Sequence, residues 1–164
     1  MEIKKIQNKN TFRFFNYKWK KVPTWASQTE KKYVNWYLQR YKYKSLINLK
    51  KFLSNKKDIL EAGCGLARDS KLFAQLNKNA NVYGCDQSLA AIKKAKKDLK
   101  KFKNVYLFQQ DITKKIKFNK TFDFISCDQV LHHTPDPGKT LKNLFSSLKK
   151  NGYLNFFVCR KKNV

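Results

Sequence analysis

Four carboxylates in this sequence fall at the same kind of place, the end of a strand-like run: Glu61, Asp86, Asp111 and Asp128. Glu61 stands two residues before a glycine pair in "ILEAGCGLARDS" (59–70), where Cys64 separates Gly63 from Gly65. Glycines so spaced permit positive φ and bring bare backbone close to a ligand, and the free N–H groups of the helix that follows face the same space. Dinucleotide-binding folds place a pyrophosphate on such a turn with the pattern G-x-G-x-x-G, but the third glycine position here is Arg68, and a carboxylate at Glu61 would repel a pyrophosphate. The turn therefore suits a ligand that presents a positive charge or an amine. His132 and His133 are the only histidines. As side chains that titrate near neutral pH without perturbation, they are the candidate bases.

The elements that must position these groups can be read from hydrophobic periodicity. From Asp58 onward, strand-length runs alternate with stretches of helical period. "DILEA" (58–62), "NVYGCD" (81–86), "NVYLFQQD" (104–111), "TFDFISCD" (121–128) and "YLNFFVC" (153–159) read as five strands. Between them, Leu72, Phe73 and Leu76 mark one helix, and Leu89, Ile92, Ala95, Leu99 and Phe102 mark a second that Ser88 caps. A last helix carries Leu141, Leu144, Phe145 and Leu148 and is expected to stop at Asn151-Gly152. This alternation predicts an α/β fold with a mostly parallel, Rossmann-like sheet of about five strands flanked by helices. Its ligand site belongs at the carboxyl ends of the strands, where the four acids lie.

Residues 1–57 read as a separate aromatic and basic extension before the α/β core of 58–164. "TFRFFNYKWKKVPTW" (11–25), which contains Pro23, predicts irregular or short structure. Tyr33, Trp36, Tyr37 and Tyr41 then form an aromatic stripe at helical spacing, and a helix capped by Ser45 carries Leu46, Leu49, Phe52 and Leu53. These helices are expected to pack on the sheet and shield its edge.

The 164 residues carry a formal charge of +26, which directs attention to polyanions. Yet only Arg13, Arg40, Arg68 and Arg160 among 37 basic residues are arginine, whereas phosphate and base recognition favours the bidentate guanidinium. The charge thus predicts nonspecific, salt-sensitive contact with RNA rather than a dedicated nucleic-acid site. Cys64, Cys85, Cys127 and Cys159 show neither a C-x-x-C pair nor histidine at zinc spacing, which predicts reduced thiols in a cytoplasmic protein and no metal. No apolar run is long enough to span a bilayer, and the first ten residues lack the apolar core of a secretory signal.

With the motifs in place, "EAGCG" at the end of the first strand resembles the class I S-adenosylmethionine-dependent methyltransferases. Asp86 after the second strand, "QDI" (110–112) after the third, and "FDFISCDQVLHHTPDP" with "LKNLFSSLKKNGYLNFFV" follow in that family's order over roughly 56–159. The resemblance implies S-adenosylmethionine as cofactor and a small-molecule methyl acceptor. It implies that Glu61 orients the methionine amine, that Ala62, Gly63, Cys64 and Gly65 make room for the methionyl and sugar portion, and that Asp86, followed by Gln87, accepts the ribose hydroxyls. It places Asp111 on the adenine amino group, Ile112 over the ring, and Cys127 and Asp128 beside the methionine part. Three departures stand out. The third small position of the glycine motif is Ala67, the fourth strand ends in "SCDQ" rather than the signature of enzymes that methylate amino groups of DNA bases or protein amides, and the two further strands of the family sheet are missing. The last departure leaves 153–159 as a hydrophobic edge, expected to be covered by a second copy or a partner. It also admits an alternative, a catalytically inactive or accessory cofactor-binding module whose basic surface contacts RNA or a protein.

Overall fold

The computed structural model describes residues 2–21, 28–117 and 120–159, with side chains from 10–21, 31–117 and 120–159. Three helices come first: α1 (Glu2–Lys21), α2 (Gln28–Arg40) and α3 (Leu46–Leu53). The α/β part follows as β1 (Asp58–Ala62), α4 (Arg68–Leu76), β2 (Asn81–Asp86), α5 (Leu89–Asp98), β3 (Val105–Gln109), β4 (Phe122–Asp128), a 3₁₀ turn at Leu131–His133, α6 (Pro137–Phe145) and β5 (Leu148–Phe157). The five strands form one sheet in the order β3-β2-β1-β4-β5, and every neighbouring pair is parallel. The order turns back beside β1, so the crevice for a ligand lies at the carboxyl ends of β1 and β4.

The core forms on both faces of the sheet. On one face Phe73 of α4, Tyr37 of α2, and Leu49 and Leu53 of α3 pack with Ile59, Val82 and Phe124 of the strands. The aromatic stripe of α2 is the reason that helix docks there: Tyr37 meets Phe73 edge-on at 5.8 Å, and Phe73 meets Phe124 at 5.5 Å. On the other face Leu60, Ile125, Phe122, Leu131 and Leu144 make a second cluster. Ser45 and Ser88 cap α3 and α5 by accepting the backbone N–H groups of Asn48 and Ala91. No described helix is long and apolar enough to cross a membrane.

The structure departs from the sequence-based expectations at two places. The segment expected to be irregular is a 20-residue helix as far as Lys21; residues 22–27, with Pro23, lie outside the described residues. Nothing between Glu2 and Lys21 is a proline or glycine, so aromatic content alone did not break the helix. The last helix ends at Phe145 rather than at Asn151-Gly152. The Ser146 and Ser147 hydroxyls both donate to the Asn143 carbonyl, and Lys149 is drawn into the strand by Asp58 and Asp123, at 3.1 and 2.9 Å. Asn151 (φ 63°) and Gly152 then lie inside β5, where its register with β4 shifts. Along this edge Tyr153 and Phe156 remain 53% and 44% exposed.

Phe124 is fully buried, with edge-on contacts to Phe52 and Phe73. Phe124→Ala should lower stability by about 3–5 kcal/mol, read as a lower urea midpoint; a midpoint within error of the unaltered chain would contradict this packing.

Candidate functional site

The glycine turn is built by hydrogen bonds to the neighbouring strand. Both the Gly63 and Cys64 N–H groups donate to the carbonyl of Cys85 at 2.8 Å, and the Gly65 N–H donates to Asp86 Oδ2 at 2.9 Å. These three bonds bend the chain sharply after β1 and fix the acid at the end of β2. Gly63 and Gly65 have φ of 78° and 53°, and a Cβ on Gly63 would lie 2.5 Å from the Val130 side chain. Ala67 also adopts a left-handed conformation (φ 58°), as does Gln129 after β4 (φ 56°). Strained non-glycine residues therefore lie on both loops of the crevice.

A cavity of about 270 Å³ opens at this end of the sheet. Its walls include Glu61, Ala62, Gly63, Cys64 and Gly65, then Asp86 and Gln87, Asp111 and Ile112, and Asp128. All four strand-end acids thus meet in one space. Asp86 Oδ1 also accepts the Ser88 N–H at 2.7 Å; burial raises its pKa, and the two backbone donors offset part of that rise. Asp111 Oδ1 accepts both the N–H and the hydroxyl of Thr113, at 2.9 and 2.7 Å.

Other predicted residues are engaged differently. Glu61 is almost fully buried, and its Oε2 accepts the N–H and hydroxyl of Ser70 in the first turn of α4. Burial and the nearby Asp69 push its pKa well up. Cys127 is fully buried within the core cluster and lies outside the cavity wall. Of the two histidines, His133 lines the cavity and His132 does not; His132 Nδ1 accepts the Cys159 N–H at 3.4 Å. The pKa of His133 is lowered by burial, then by His132 and Lys18, so at neutral pH it is uncharged.

Sequence reasoning missed several members of the wall. Asp69, in the first turn of α4, takes the Tyr33 hydroxyl on Oδ1 and the Ser126 hydroxyl on Oδ2. Burial pushes its pKa up to about 6, with Tyr33's hydrogen bond opposing and the Asp128 charge adding to the rise. Asp128 is held by Arg40 at 3.0 Å and by the Tyr41 hydroxyl at 2.9 Å. The Arg40 guanidinium is itself sandwiched between Trp36 and Phe157, 3.4 and 3.8 Å from the ring centroids. The signal for these partners was the tyrosine stripe of α2, which reads as apolar until its hydroxyls are given acceptors. Phe12, Phe15, Lys18 and Trp19 of α1 complete the wall.

A profile of the methyltransferase domain matches residues 53–163 of this chain. The chain belongs to the methyltransferase domain family. A ubiquinone biosynthesis O-methyltransferase of Coxiella burnetii is 35% identical over 101 residues, 61% of this chain and 42% of the relative; one from Histophilus somni is 31% identical over 106 residues, 61% and 44%. The chain thus spans less than half the length of these curated relatives. Among solved structures, coclaurine N-methyltransferase bound to N-methylheliamine and S-adenosylhomocysteine superposes with a TM-score of 0.63 at 20% identity, over 81% of this chain and 36% of that one. The N-methyltransferase NodS from Bradyrhizobium japonicum, in complex with S-adenosylhomocysteine, gives 0.59 at 24% identity, over 73% and 61%. These likenesses match the five-stranded Rossmann-like fold.

The raised pKa of Asp69 makes a testable contribution to stability. An acid whose pKa rises on folding stabilises the fold while protonated and loses that contribution as pH climbs through the folded value. Relative to Asp69→Asn, the unaltered chain should therefore lose stability between about pH 4 and about pH 6 and level off above that. Parallel urea melts of the two proteins check this; a difference that stays constant across the range contradicts it.

Proposed function

We propose that this chain is an S-adenosylmethionine-dependent methyltransferase acting on a small-molecule acceptor. The observation that carries the reading is the meeting of Glu61, Asp86, Asp111 and Asp128 with the Gly63–Gly65 turn in one cavity of a methyltransferase-family chain. The residues present suit the cofactor's chemistry. Each Asp86 oxygen takes one backbone donor and keeps a lone pair for a ribose hydroxyl. Asp111 accepts from Thr113 through Oδ1, which suits its other oxygen to the adenine amino group, and Ile112 offers the ring an apolar face. Glu61, with Asp69 and Asp128, gathers carboxyl oxygens on the α4 side of the cavity as acceptors for the ammonium of a methionine moiety, whose positive charge would favour their ionised forms.

When bound, the cofactor supplies a methyl group activated by its sulfonium, so the chain's part is to orient, enclose and take up a proton. The α1 helix and the loop after β4 wall the cavity. His133, uncharged at neutral pH and on the cavity wall, is placed to accept the proton that a hydroxyl or amine loses on methylation. The names of the relatives and neighbours span oxygen and nitrogen acceptors.

A second reading, a catalytically silent module whose basic surface contacts RNA, is favoured by the exposed run of Lys93, Lys96, Lys97, Lys100 and Lys101 on and just after α5. The exposed edge of β5 supports a second copy or a partner seated on it, and unpaired thiols at Cys64, Cys85, Cys127 and Cys159 support a cytoplasmic setting.

Calorimetry with S-adenosylhomocysteine tests the cofactor reading. The unaltered chain should bind it, and Asp86→Ala should weaken binding by about 2–3 kcal/mol, the loss of charge-assisted hydrogen bonds. An unchanged dissociation constant in the variant contradicts the assignment. Transfer of labelled methyl to a small-molecule extract separates the enzyme from the silent module. RNA affinity that survives moderately high salt favours the second reading.

A further inference from the structure

The wall of the cavity opposite the sheet comes from α1, an element that shares none of the glycine or carboxylate motifs. Trp19 rests directly on the glycine turn: a Cβ on Gly65 would lie 2.7 Å from its Cζ2 and 3.1 Å from its Cη2. Gly65 is the residue whose N–H donates to Asp86. The turn is therefore gripped on one side by the carboxylate and touched on the other by the indole.

Three contacts set α1 in this position. Asn16 Oδ1 accepts the Ser88 hydroxyl at 2.9 Å and the Ala90 N–H at 3.4 Å, at the start of α5. The Lys94 ammonium donates to the Lys20 carbonyl at 3.1 Å. Phe15 lies edge-on to His133, with ring centroids 4.9 Å apart. One group of anchors lies on Ser88 and α5 and the other on the loop after β4, so α1 bridges the two sides of the crevice.

We infer that α1 is a binding wall of the cofactor site, with Trp19, which lines the same cavity as Gly65, in direct contact with the bound S-adenosyl compound and Asn16 holding the helix there. The inference rests on the methyltransferase reading above, in which Asp86 takes the ribose and the Glu61 side takes the amino-acid end. Gly65 lies between those two, and because the indole already touches it, the middle of the ligand, where sugar meets sulfur, runs along the cavity beside the indole and not between it and the turn. A flat, weakly hydrated ring suits the apolar edge of a sugar and a sulfur-bearing carbon, whose burial against it adds affinity. Asn16 acts through α1 and is a positioning residue.

Titration of the full chain with S-adenosylhomocysteine, followed by tryptophan emission and by calorimetry, tests this. Binding should change the emission of the unaltered chain and of Trp36→Phe, and the change should be lost in Trp19→Phe. Asn16→Ala should bind about tenfold more weakly, as expected for losing a clamp of two hydrogen bonds. An emission change that persists undiminished in Trp19→Phe, together with unaltered affinity in Asn16→Ala, overturns the role of α1 while leaving the cofactor reading intact. Absence of any binding heat from the unaltered chain brings down the cofactor reading and this inference together.

Discussion

Three backbone N–H groups, those of Gly63, Cys64 and Gly65, are turned onto the end of the neighbouring strand, and the site depends on that arrangement. A residue with a side chain at Gly63 would collide with Val130, and one at Gly65 with Trp19. Because the turn satisfies its donors on Cys85 and Asp86, the backbone can change direction within a buried crevice without leaving polar groups unpaired. The same bonds position the Asp86 carboxylate. Turn and acid are thus one unit, joined across β1 and β2.

Around that unit, carboxylates accumulate at a density that only hydrogen bonds and nearby cations make tolerable. Glu61 is satisfied by Ser70 at the start of α4, whose first-turn N–H gains an acceptor. Asp69 and Asp128 are satisfied from α2 and the turn that follows it, through Tyr33, Arg40 and Tyr41. The stripe that packs α2 on the core therefore also supplies donors to the site. In Tyr33 and Tyr41, packing and electrostatics are carried by different atoms of one side chain, the rings in the aromatic stripe and the hydroxyls on acids.

Much of this was legible in the sequence because it depends on local signals. The alternating periodicity marked all five strands, Ser45 and Ser88 announced their helices, and acids at strand ends converge in any parallel sheet. What was not legible depends on long-range contact. Asp69 looks like an ordinary first-turn acid until Tyr33 and Ser126 reach it. The resemblance set Cys127 with Asp128 beside the methionine part, but alternation along β4 sends the Cys127 side chain into the core. The α1 helix was concealed by Pro23 and by an aromatic-basic composition that carries no clear period, and its place over the turn is set by Asn16, Phe15 and Trp19 meeting loops far along the chain. The end of α6 was misplaced because Asn151-Gly152 is a helix stop in isolation, while Lys149 has partners only in the folded sheet.

The central claim is that this acid-lined crevice holds an S-adenosyl compound. The most direct measurement is mass spectrometry of the ligand that the 164-residue chain retains after incubation with S-adenosylmethionine and desalting. The account predicts S-adenosylmethionine or its demethylated product, near one per chain. A chain that emerges empty, or that carries a nicotinamide nucleotide from its host instead, would contradict it.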